Sequence, residues 1–254
     1  MKLAQLVLVL SIVGGGAAAS FADEVESLYI RANEHYQKND FASAIADYQK
    51  IVQLGFESWE VYYNLGNAFY KNGDFARAIL NYERARKLDP KNEDINFNLA
   101  LANLSVVDRI PQLPKFILYT WITELASLLN LRWLGIITSL SYILFMGIVI
   151  LRIMLRSAAW MRLLKIFTIA AGIFWVIFSG LFLLRVYENE SIVEAVVIAE
   201  KVEVMSAPAG AGTELFSLHE GVKVQIQDQS GTWMKIRLAD GKVGWLSGDR
   251  IERI

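Results

Sequence analysis

Two apolar runs, Trp133 to Leu151 and Ile166 to Leu184, contain no charged side chain, and each is 19 residues long. As a helix rising about 1.5 Å per residue, such a run reaches roughly 28 Å, close to the hydrocarbon thickness of a bilayer. Both are predicted to be transmembrane helices, over 133–151 and 166–184, which fixes the compartment of every other part of the chain. The loop between them, residues 152–165, carries Arg152, Arg156, Arg162 and Lys165 and no carboxylate. Cation-rich loops are retained in the cytoplasm, which predicts both flanking segments on the far side of the membrane. Neither span contains a carboxylate or a cation, so a proton relay or ion pathway has no candidate residues. Small residues at Ala170-Ala171-Gly172 and Ser179-Gly180 permit close helix approach, a weak signal because such residues are common in spans.

The charge distribution agrees with a membrane protein. Residues 23–109 hold 14 acids and 10 bases, 111–185 one acid and seven bases, and 186–254 11 acids and seven bases. Cations thus gather near the membrane, where anionic headgroups attract them, and the flanking segments are mildly acidic. Nucleic-acid binding is disfavoured, because phosphate recognition needs a basic face. The chain has no cysteine, which excludes disulfides, thiol nucleophiles, Cys-ligated metals and a lipoprotein anchor. Its two histidines, His35 and His219, flank the hairpin, and no nucleophile–base pair, metal cluster or phosphate loop is evident. No catalytic residue, metal or cofactor is expected.

Met1 and Lys2 lead into the apolar stretch Leu3 to Val13, then Gly14 to Gly16, Ala17 to Ala19 and Ser20-Phe21-Ala22. One cation, a short apolar core and small residues ahead of Asp23-Glu24 suit an export signal over 1–22, cleaved after Ala22. An uncleaved third membrane helix is the alternative.

The next segment, 23–110, repeats itself. Ala32-Asn33, Tyr36, Asp40-Phe41-Ala42, Ala44-Ile45, Tyr48 and Leu54 recur 34 residues later as Gly66-Asn67, Tyr70, Asp74-Phe75-Ala76, Ala78-Ile79, Tyr82 and Leu88. A period of 34 with small, aromatic and alanine positions resembles the tetratricopeptide repeat (TPR), a stacking helical hairpin. In the second copy Tyr62, Leu65, Gly66, Phe69, Ala78, Tyr82, Ala85 and Pro90 match the signature. Repeats are read over 25–58 and 59–92, with a closing helix over 93–107 in which Asn98-Leu99-Ala100 continues the phase. The first copy departs from the pattern at Arg31, His35 and Gly55-Phe56, as a capping unit does.

The TPR resemblance implies a concave groove for a peptide or partner helix. It is lined by Tyr29, Asn33, Tyr36 and Gln37 from the first repeat, Tyr63, Asn67, Tyr70 and Lys71 from the second, and Phe97 and Leu101 from the closing helix. Tyrosine offers rigid contact area, and asparagine pairs with peptide backbone. The competing reading is that Asn67 and Tyr70 are ordinary residues of the fold.

Pro111 and Pro114 stop the helix, and residues 111–132 carry Trp121, Leu125, Leu128 and Leu129 on a helical period. This suits an amphipathic helix in the membrane interface, or else one packed under the repeats. From Ser191 onward the apolar period becomes two, which predicts five short strands closing a small β-barrel over 191–254. The run Val202-Glu203-Val204, Glu220-Gly221-Val222, Gly231-Thr232-Trp233 and Gly241-Lys242-Val243-Gly244-Trp245 resembles the bacterial SH3 (SH3b) domain. Met205-Ser206-Ala207 departs from that family where it usually has an arginine. Trp233 and Trp245 are either barrel core or the edge of a groove for an extended peptide or a cell-wall strand.

Taken together, the chain reads as a multidomain membrane protein: a helical TPR solenoid, a transmembrane hairpin and a small SH3-like barrel. This order of modules resembles the BatE-type proteins of the Bacteroidetes aerotolerance (Bat) operons. The resemblance implies a non-enzymatic scaffold in the bacterial inner membrane, with both soluble domains periplasmic. It also implies partners of the von Willebrand A-type membrane proteins and a MoxR-type ATPase system. A cell-wall sensor binding peptidoglycan through the SH3b module is the alternative. The cationic loop predicts that a reporter active only in the cytoplasm, fused after Ile254, is silent, while the same reporter inserted after Ser157 is active.

Overall fold

In the computed structural model the described residues are 17–111, 113, 117–155, 158–191, 193–208 and 212–254. Of the expected export signal, residues 1–16 lie outside them. The described residues form two compact units, one built from those up to Pro111 together with those from Val193 onward, the other from those between.

The first unit opens with α1 (Ala17–Gln37), α2 (Phe41–Gln53), α3 (Trp59–Lys71), α4 (Phe75–Leu88) and α5 (Glu93–Asn103). Asp40 and Asp74, one period apart, start α2 and α4 by accepting the backbone N–H groups of Ser43 and Arg77 at 3.2 and 2.9 Å. Ser58 and Asn92 do the same for α3 and α5, each satisfying a donor that a helix start leaves without a partner. The helices bury Leu28, Ala32, Tyr48, Leu65, Phe69, Ile79 and Tyr82 in one core. Gly66 sets the approach of α3 and α4, since a Cβ there would stand 2.7 Å from the Tyr82 ring. Two boundaries differ from the sequence reading. Helix α1 runs unbroken through the expected cleavage position, with Ala22 buried. The closing helix ends at Asn103 instead of residue 107, because the chain turns there and delivers Val106 and Ile110 to the core of a β-sheet.

That sheet comprises β1 (Val193–Val197), β2 (Lys201–Met205), β3 (Glu214–His219), β4 (Lys223–Ser230), β5 (Trp233–Arg237), β6 (Val243–Ser247) and β7 (Ile251–Arg253). Its order is β3-β2-β6-β5-β4-β1-β7, and every neighbouring pair is antiparallel. The expected five-stranded closed barrel is therefore corrected to seven strands in an open sheet, with β3 and β7 at its edges. The sheet does not need closure to bury its apolar face, because the helices cover part of it. Val196 belongs to the helical core, while Val106 and Ile110 pack against the sheet's Ala195, Val222, Val224 and Leu246 cluster. Polar contacts surround this shared core. Arg84 donates to Glu252 Oε1 at 3.0 Å and to the Arg253 carbonyl at 2.6 Å. The buried Glu83 carboxylate pairs with Lys223 at 3.1 Å. Asp108 accepts the His219 backbone N–H at 2.6 Å. Segments 23–110 and 191–254, read as separate domains, thus fold as one body.

The second unit holds α6 (Ile117–Ser127), α7 (Leu131–Met154) and α8 (Ala158–Ser191). Over Leu131–Met154 and Trp160–Tyr187 the two longer helices are long and apolar enough to cross a membrane, and few of their side chains are buried. They pack on each other through a hydrogen bond from Thr138 Oγ1 to the Phe178 carbonyl at 3.2 Å and through Phe145 stacked on Trp175 with centroids 6.0 Å apart. The loop expected over 152–165 is mostly helix, since α8 already begins at Ala158. Residues 158–165 contain no proline or glycine to stop it. Helix α6 buries Ala126 and exposes Ile117, Trp121 and Leu125.

The shared core predicts one cooperative unfolding transition for helices and sheet. Gly221 has φ +85°, and a Cβ there would lie 2.8 Å from Val106 Cγ2. Gly221→Ala should therefore destabilise the body by roughly 1–3 kcal/mol. Circular dichroism should show the helical and sheet signals melting together at a lower Tm; a loss confined to the sheet would contradict the shared core.

Candidate partner-binding site

The repeats place one cleft of about 320 Å³ across three helices. Tyr36 comes from α1, Tyr63, Asn67, Tyr70 and Lys71 from α3, and Asn98 and Leu101 from α5, with Tyr82 of α4 at the base. Helical spacing explains the set: Tyr63, Asn67 and Tyr70 stand at i, i+4 and i+7 and so share one face of α3.

A periodic hydrogen-bond ladder underlies the cleft. Tyr48 Oη donates to Asn33 Oδ1 at 2.7 Å, and one repeat later Tyr82 Oη donates to Asn67 Oδ1 at 2.7 Å. Asn64 Nδ2 donates to Tyr29 Oη at 2.9 Å, and its counterpart Asn98 Nδ2 donates to Tyr63 Oη at 3.0 Å and to Asn67 Oδ1 at 2.9 Å. Each first helix is thereby tied both to its own hairpin partner and to the first helix of the next repeat. Edge-on ring contacts recur with the same period, Tyr36 on Phe41 and Tyr70 on Phe75, each with centroids 5.4 Å apart. They fix the two tyrosines that stand at the mouth.

The ladder divides the residues singled out from sequence. Tyr36, Tyr63, Asn67, Tyr70, Lys71 and Leu101 line the cleft, whereas Tyr29 and Asn33 serve the ladder. Gln37 is exposed, and Phe97, 68 % exposed, lies outside the cleft lining. Tyr82 and Asn98 were missed, although the Tyr48–Tyr82 and Asn64–Asn98 repeats announce them. Of the two faces of the side-chain amide, Asn33 and Asn67 spend the oxygen on tyrosine hydroxyls, which would otherwise be buried without an acceptor.

Donors remain for a ligand. Among the described residues, the Tyr36 and Tyr70 hydroxyls and the Asn67 Nδ2 group make no hydrogen bond, and Lys71 pairs with no carboxylate. A donor-rich cleft with one cation and aromatic walls suits an extended segment presenting carbonyls and a carboxylate. Burial raises the Tyr29 and Tyr36 phenols above their ordinary value, so both stay protonated donors or acceptors at neutral pH.

Elsewhere, His35 lies 3.2 Å from Asp40, and Arg31 forks onto Asp47, whose carboxyl that hydrogen bond holds below its ordinary range. No group of three or more His, Asp or Glu side chains that could hold a metal gathers among the described residues. Trp233 and Trp245 are half-buried and do not belong to the sheet's core cluster. Lys235 pairs with Trp245, so alternation puts both tryptophans on the face opposite Ile236 and Leu246. Barrel core is not their place.

Comparison with known families decides what the helical part is: residues 32–73 and 66–106 match the model of the TPR repeat. Residues 32–106 are TPR repeats. No curated protein matches the chain. TPR repeats are interaction modules, and this one carries its cleft on the faces of α1, α3 and α5.

The ladder gives the TPR body a pH limit. Burial raises the Tyr48 and Tyr82 phenols strongly, and burial with the nearby Glu57 carboxylate pushes Tyr62 up to about 12. An unfolded tyrosine ionises near pH 10 or so. The native state therefore holds more protons above that pH, and its stability, full below about pH 10, falls as pH rises further. Alkaline titration should show phenolate absorbance and loss of helical signal rising together; phenolate formation from these tyrosines with the helices intact would contradict the ladder.

Proposed function

We propose that the chain is a non-enzymatic scaffold of the bacterial inner membrane, of the BatE type, that holds membrane-associated protein partners in its TPR cleft. The observation that carries this reading is the cleft itself, whose unused donors stand on a hydrogen-bonded frame within TPR repeats. Topology supports it as well. The segments before and after α7 and α8 form one compact body, so they share a compartment and an apolar helix pair between them must cross an even number of times. With the cationic loop inside, that compartment is the periplasm. By resemblance, the partners are von Willebrand A-type membrane proteins working with a MoxR-type ATPase.

A second reading, peptidoglycan sensing by an SH3b-type module, draws on Trp233 and Trp245, which share the non-core face of the sheet, where aromatic surfaces suit a sugar or peptide strand.

The decisive variant is Tyr70→Ala with Lys71→Glu in the full chain. It removes two cleft groups that the ladder does not use, whereas Asn67→Ala would also leave the buried Tyr82 hydroxyl without its acceptor. Co-purification from membranes should lose the von Willebrand A-type partner at least about tenfold, as expected when an aromatic and a cation are removed from an interface centre. Full retention of that partner would remove the cleft from the binding site.

A further inference from the structure

We propose that the open end of the TPR stack, on α5, docks a helix supplied by a partner protein. The helix has a small residue, an aromatic four positions later and a cation two positions beyond it. This face is distinct from the cleft, sharing only Leu101 with it.

The two complete hairpins define the docking rule. Helix α2 covers α1, and α4 covers α3, with the small residues Ala32 and Gly66 buried at the crossings. In the second, the Tyr82 ring lies on Gly66. Ala100 holds the third place in this series and is exposed. The residues around it have changed in one direction. Where the earlier repeats carry Tyr29 and Tyr63, Asn33 and Asn67, or Tyr36 and Tyr70, α5 carries Phe97, Leu101 and Leu104, which are 68, 39 and 71 % exposed. A terminal helix meant for water gains polar residues on its outer face; α5 loses them. Its surface continues the interface by which each earlier first helix receives its partner.

The cation comes from the same comparison. Lys50 and Arg84 follow the hairpin aromatics Tyr48 and Tyr82 by two residues. Lys50 lies 3.5 Å from Glu24 of the facing helix, and Arg84, which hydrogen-bonds Glu252 and the Arg253 carbonyl, also lies 5.8 Å over the Tyr62 ring of its facing helix. The start of α5 presents the exposed carboxylates Glu93 and Asp94 to a cation arriving on an incoming helix. A second copy of this chain does not supply the helix, because its α2 and α4 are already packed within their own hairpins.

The test uses the full chain in phosphatidylethanolamine–phosphatidylglycerol nanodiscs and a helix-stapled peptide of residues 75–88, the chain's own α4, as the probe. Saturable binding is expected by fluorescence anisotropy. It should weaken at least about tenfold with Leu104→Asp in the protein, and equally with Tyr82→Ala in the peptide. Leu104 is outside the cleft lining and largely exposed, so the variant should melt like the parent. Tyr70→Ala, a cleft change, should leave peptide binding unaltered, which separates this face from the partner-binding cleft. The proposal is overturned by absence of saturable binding, by indifference to Leu104→Asp, or by a dimer in the discs that Leu104→Asp splits.

Discussion

The shared core between the helical repeats and the C-terminal sheet is the constraint on which the rest of the architecture rests. Two TPR hairpins with one closing helix and an open sheet of seven short strands meet there. Docked, they bury Val196 on one side and Val106 and Ile110 on the other, with Glu83 and Lys223 paired at the border. The buried Glu83 carboxylate is paired with Arg86 of its own helix and with Lys223 of the sheet, so both elements contribute a cation to it, as a buried charge requires.

Along the chain, the long apolar helix pair is inserted between two segments that fold as one compact body.

Within the repeats, hydrogen bonding and recognition compete for the same residue types. The ladder uses asparagine oxygens and tyrosine hydroxyls to join helices, and the cleft keeps only the groups left over: the mouth tyrosines, one amide and one lysine. A frame of this kind holds a binding surface rigid before any partner arrives, which lowers the ordering cost of association. It also means that substitution of a ladder asparagine alters the fold as well as the surface.

Much of this was legible in the chain. The repeat period follows from spacing, because small and aromatic residues must recur wherever helices cross closely. The two long apolar helices follow from length and the absence of charge. The extension of the second of them through residues 158–165 was obscured by Arg162 and Lys165, which read as loop but tolerate a helix well. The closing helix's apolar drift, from Asn67 to Leu101, was visible but uninterpretable without knowing that this face is exposed. What sequence alone determined were local periods and caps, since these depend on neighbours within a turn or a repeat. Only tertiary structure decided that the sheet stays open, that the tryptophans face away from its core, and that two segments separated by the hairpin form one body. Those outcomes depend on which apolar faces find each other across long stretches of chain, and no local pattern records that pairing.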